Sequence, residues 1–166
     1  MKRTLSGSIR LAATVLALVA LLMPAVGQAE EGSTADQIRA LINEGNQYVS
    51  EHKMDQAGGV SKDGSLQFWS SGGLMQWAPP TGEPTVYESY SLAAKHIEVI
   101  ELPGGDAAVA MYYSEGSMHR KGAAPVSHYL TRVLEVYVKE DGEWVSRAAH
   151  WSPILGGTGT NQTSLD

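Results

Sequence analysis

Cysteine is absent from all 166 residues. With it go a disulfide framework, thiolate-held zinc, iron–sulfur clusters, a cysteine nucleophile and a lipoprotein anchor. Cations are scarce as well: 12 Lys and Arg stand against 18 Asp and Glu, a formal charge of −6. A phosphate backbone needs clustered Lys and Arg to displace its counterions, so this balance argues against nucleic acid as a partner. Charged residues make up only 18% of the chain, but 43% are hydrophobic, an ordinary share that excludes a disordered or fibrous chain. No internal repeat is visible.

Two chemical signatures are missing too. The five histidines, His52, His96, His119, His128 and His150, include no His-x-x-x-His pair on a helix and no His-x-His pair on a strand. The sequence therefore calls for no metal and no cofactor. Ser152 lies near His150, but there is no Gly-x-Ser-x-Gly elbow, which speaks against a serine nucleophile.

What is present begins with an address. Lys2, Arg3 and Arg10 precede an apolar run from Leu11 to Met23, broken by Pro24, and small residues Gly27 and Ala29 flank Gln28. This is the pattern of a secretory signal peptide over 1–29. The rival is an uncleaved anchor, but thirteen residues reach only about 20 Å as a helix, short of the ~30 Å hydrocarbon core. The chain is expected to be exported to the periplasm or outside the cell, with no membrane contact after cleavage. Cleavage removes three basic residues and no acid, taking the formal charge from −6 to −9. The expected domain covers 30–155, followed by a flexible polar tail over 156–166.

The domain opens with a helix start at Ser33-Thr34, followed by Asp36 and Gln37. Ile38, Leu41, Ile42, Gly45, Val49 and His52 then recur at three- and four-residue steps, one buried helical face that Tyr48 shares or borders. Residues 53–69 have room for short helical turns. A Gly- and Pro-rich stretch around Leu74–Trp77 follows. After Pro84 come strand-like runs at 86–92, 95–102, 107–114, 126–139 and 144–151, the last two joined by an Asp141-Gly142 turn. A helix followed by a meander implies an α+β layout, with helical cover on one face of a curved antiparallel sheet and a cavity between the layers.

The segment Arg132-Val133-Leu134-Glu135-Val136-Tyr137, through Asp141-Gly142-Glu143-Trp144 to His150-Trp151-Ser152, resembles the closing hairpin of the nuclear transport factor 2-like superfamily. In the SnoaL-like and ketosteroid-isomerase-like branches this reads roughly as R-x-T-x-V-x-x-x-x-D-G-x-W followed by H-x-S. Gly105-Asp106-Ala107-Ala108-Val109 is similar to the family's entry into a central strand. The resemblance implies a cone-shaped roll, N-terminal helices on a strongly curved antiparallel sheet enclosing a pocket, and a homodimer paired through the sheet. Ketosteroid isomerase chemistry needs a carboxylate base, a tyrosine and a protonated acid. Tyr48 and Glu135 fall near the last two positions, but the base position reads Met75-Gln76-Trp77-Ala78-Pro79, without a carboxylate.

The catalytic candidates are therefore His150, Glu135 and Tyr48. The pocket candidates are Tyr48, Trp69, Trp77, His128, Arg132, Trp144 and His150. Apolar counting on 126–139 turns His128, Leu130, Arg132 and Leu134 inward, with His150 joining Trp144 and Ser146 on the neighbouring strand. The alternative register turns Tyr129, Glu135, Arg147 and Trp151 inward. Three functions remain open: a binding protein for a small apolar or amphipathic molecule, an acid–base enzyme acting on such a molecule, or a structural dimerisation module with an idle pocket.

Overall fold

A computed structural model describes residues 32–154. The expected leader, 1–29, and the expected tail, 156–166, lie outside the described residues. Helix α1 spans Thr34–His52 and starts where the hydroxyl at Ser33 demands: its Oγ accepts the Asp36 N–H at 3.2 Å. The helix stops at Lys53, whose left-handed φ of 58° turns the chain away. Ile38, Ile42 and Val49 are its buried residues, on the face the periodicity marks.

Six strands follow: β1 (Ser65–Phe68), β2 (Gln76–Ala78), β3 (Tyr87–Glu101), β4 (Ala107–Arg120), β5 (Val126–Glu140) and β6 (Glu143–Pro153). They form one sheet in the order β2-β1-β6-β5-β4-β3. Every pairing is antiparallel except β1 with β6, so the sheet is mixed where a purely antiparallel one was expected. Residues 65–68, placed by sequence in a region of helical turns, form strand β1, with Ser65 and Gln67 buried and Leu66 and Phe68 exposed. Two expected strands, 86–92 and 95–102, merge into β3. A bulge beside His96, φ 54°, absorbs the break between them. The β5–β6 turn is as read: Asp141 and Gly142 take φ of 52° and 91°.

The sheet bends sharply at Gly116. Its φ is 141°, and a Cβ there would stand 1.9 Å from the Ser91 carbonyl oxygen, so only glycine admits this approach of β3. Just beyond it the β4–β5 ladder slips, from Gly116 opposite Tyr129 to Met118 opposite Val126. Ile38 and Ile42 of α1 pack with Ala108, Ala110, Tyr137 and Trp144 to form the core. The long outer strand β3 is guarded by the helix: Arg39 Nε donates to the Ile97 carbonyl at 3.2 Å and Ser50 Oγ to the Tyr90 carbonyl at 3.4 Å. The result is an open α+β cone with the helix on its concave side.

The faces of β5 and β6 are opposite to those that apolar counting selects. Thr131, Val133, Glu135 and Tyr137 are buried, whereas His128, Arg132 and Leu134 are exposed. Counting failed because the outer face is also apolar, while the inner face carries polar groups that bond one another. On β6 the ladder skips Arg147 between Tyr137–Ser146 and Val136–Ala148. That bulge reverses the alternation, so Trp144 and Ala149 are buried and His150 is exposed, on the opposite side from Trp144.

Candidate functional site

The concave side holds one buried carboxyl. Glu135 lies in a cross-strand row with Ala110 on β4, Ala149 on β6 and Gln67 on β1. Its two cross-strand neighbours are thus alanines, which offer it no polar partner. From the adjoining rows Tyr112 and Tyr137 donate their hydroxyls to the same oxygen, Oε2, at 3.0 and 2.5 Å. Burial pushes the Glu135 pKa up, and the two tyrosine bonds only partly offset it. The same burial, reinforced by the nearby carboxylate, raises both tyrosines well above their ordinary value. The pair therefore acts as donor to Glu135, which can keep a proton or accept bonds depending on what faces its other oxygen.

Tyr90 extends this cluster toward the helix. Burial, then Asp55, Tyr129 and Glu135, raise its pKa, and its hydroxyl donates to Asn46 Oδ1 of α1 at 2.7 Å. Asn46 also walls a cavity of about 320 Å³ between helix and sheet, with Asn43, Gln47 and Ser50 on one side and Leu92 and Ala94 on the other. At the opposite end of the concave face, Tyr129 donates to Ser70 Oγ at 3.0 Å, and the Trp69 and Trp151 rings lie 5.9 Å apart. Between these ends Thr131 Oγ1 is buried without a hydrogen-bond partner.

Of the candidates read from sequence, Glu135 alone lies in this cluster, and Trp69 stands at its rim. Tyr48 is half-buried on α1, stacked on His52 with ring centres 4.1 Å apart. Trp144 belongs to the core, where its Nε1 donates to Gln37 Oε1 at 2.8 Å. Trp77 is 58% exposed on the outer side, its indole against the Gly64 backbone. His128, Arg132 and His150 also face outward, His150 beside the Phe68 ring at 5.5 Å. Tyr112 and Tyr137 were missed. Their signal was the inward alternation Ala108, Ala110, Tyr112, Ser114 on β4, together with Tyr137 two residues from Glu135 on β5.

The outer side has a different character. Ile100, Val109, Val136, Ala148, Leu66 and Trp77 pair in sequence across all six strands, making one unbroken apolar row. The next row, Met111, Leu134, His150 and Phe68, crosses four strands. Arg132 follows, between Tyr113 and Ser152. Among the described residues no three metal-ligating side chains gather, and no helix is long and apolar enough to cross a membrane.

No family model matches this chain, and no curated protein does. Solved structures do. An NTF2-like protein of unknown function from Prochlorococcus marinus is 17% identical, with 75% of this chain and 96% of that one covered and a TM-score of 0.50. A second NTF2-like protein of unknown function, from Pseudomonas putida, is also 17% identical, covering 80% and 95% at a TM-score of 0.48. A third similar structure is a Ca/calmodulin-dependent kinase II association domain from Exiguobacterium sibiricum, 12% identical, covering 73% and 93% at a TM-score of 0.45. One helix on the concave side of a six-stranded open sheet, superposing on nearly the whole of the Prochlorococcus protein, gives this chain the nuclear transport factor 2-like fold.

Proposed function

We propose that this chain is an exported small-molecule-binding protein, holding a small, largely apolar or amphipathic ligand on the concave side with one polar group turned to Glu135. The observation that carries this reading is the buried carboxyl itself, bonded by two phenols and flanked by alanines. Burying an ionisable group costs stability that hydrogen bonds only partly offset, and such groups gather at functional sites. The cavity between α1 and β3 supports the same reading by offering space on that side of the sheet. Export rests on the leader pattern at 1–29, and N-terminal sequencing of the secreted protein should begin at Glu30.

The protein works as a homodimer in this proposal. An apolar row spanning six strands and the row beside it, bordered in turn by a polar row at Arg132, have the layout of an interface core with its rim. A second copy presenting the same face satisfies it.

A second reading, acid–base catalysis on the bound molecule, draws on the raised pKa of Glu135, which lets it hold a proton that its ligand can receive. Native mass spectrometry of protein purified from its own periplasm or medium tests both. A retained small molecule, lost in Glu135→Gln, is the expected result. A chemically altered form of that molecule on incubation would favour catalysis. A clean apo mass, with no thermal shift across a lipid and steroid panel, would leave a structural dimer with an idle pocket.

A further inference from the structure

The bend at Gly116 creates a second recess, on the outer side of the sheet and away from Glu135. It has a volume of about 400 Å³. Ser117 pairs with Ser91 of β3 but has no partner on β5, and Ser127 and His128 have none on β4, so the slip in the ladder opens the bay. It is lined by Ser91, Ser117, Ser127, His128, Lys95 and Glu115. Ala93 and Leu130 flank Glu115 as its cross-strand partners on either side. On β4 and β5 the Tyr113–Arg132 pair stands between the bay and the apolar rows assigned to dimerisation, and Lys95, paired with Tyr113, lies in that same row.

We infer that this bay is a binding site for a small, neutral, hydroxyl-rich molecule, the chemistry of a sugar or polyol. Charge decides the class. Lys95 Nζ and Glu115 Oε1 stand 3.9 Å apart, so they offset each other yet make no hydrogen bond, and each keeps its bonding capacity for a third group. An anion would meet the Glu115 carboxylate, and a cation would meet the Lys95 ammonium. A hydroxyl can donate to one and accept from the other. Three serine hydroxyls and the His128 ring add further groups able to bond hydroxyls.

The test is amide-resolved NMR titration of the protein with D-glucose and N-acetyl-D-glucosamine, with acetate and methylammonium as charged controls. Shifts at Ser91, Lys95, Ser117, Ser127 and His128 with a sugar are expected. Glu115→Gln and His128→Ala, both at exposed positions, should each weaken binding about tenfold with an unchanged melting temperature. A chitin trisaccharide binding more tightly than the monosaccharide would identify a polymer-borne sugar as the source, and equal binding a free one. No sugar shifts at these residues, shifts confined to the α1–β3 cavity, or a response only to the charged controls would overturn the assignment. Glu135→Gln should leave sugar binding intact, so failure at the concave site is read separately.

Discussion

Tyr112 and Tyr137 reach Glu135 from different strands and bond the same oxygen, leaving its partner oxygen without a bond to any described residue. This convergence fixes the carboxyl in place and ties the protein's stability to its protonation. Burial raises its pKa above the ordinary 4.5, so the folded state holds the proton more firmly than the unfolded chain does. The resulting stabilisation is complete below about pH 4.5 and is lost as pH rises through the folded-state value. Urea unfolding over a pH series should show wild type losing stability relative to Glu135→Gln as pH rises from that point. A difference independent of pH would remove Glu135 from the titrating interior.

Thr131 invites a simpler change. Its hydroxyl is buried without a partner, so Thr131→Val exchanges an unsatisfied group for a methyl of similar shape. The variant should be more stable by about 1 kcal/mol in chemical denaturation. A loss of stability would mean that the hydroxyl is bonded in solution.

Trp144 closes the core from β6 and bonds Gln37 on the helix. Trp144→Ala should cost about 3–5 kcal/mol by calorimetry or denaturant unfolding. An unchanged melting curve would contradict its burial.

The bend depends on one position. Gly116→Ala places a methyl against the Ser91 carbonyl at a φ of 141°, and should destabilise the protein by at least about 2 kcal/mol. Ala at Gly122, also at positive φ but with nothing within 4 Å, is the control and should cost less.

Pairing through the outer face has its own variant. Leu134 is exposed at the centre of the second apolar row, and Leu134→Glu should convert dimer to monomer in analytical ultracentrifugation without loss of fold. Wild type sedimenting as a monomer throughout would rule out the pairing.

Sequence carried the helix and the closing hairpin because both are local. A hydroxyl cap, a 3.6-residue period and an Asp-Gly turn depend on near neighbours. The inward face of β5 was not legible in the same way. Leu134 and Val136 look like core by composition, yet they serve the outer face, while Glu135 and Thr131 look like surface and are buried. Which side α1 covers is decided by tertiary packing, and the β6 bulge then reversed the parity of His150. Strand β1 escaped notice because its buried residues are Ser65 and Gln67, against the usual pattern of apolar burial.

The helix's hold on β3 has a consequence for how copies of this protein meet. With the Ile97 and Tyr90 carbonyls already taken by Arg39 and Ser50, a foreign strand arriving at that border finds part of its ladder occupied, and the other border, β2, is only three residues long. Sheet-to-sheet extension into fibres is thereby discouraged at both ends. The back-to-back dimer proposed above would then be a closed pair in place of an endless ribbon.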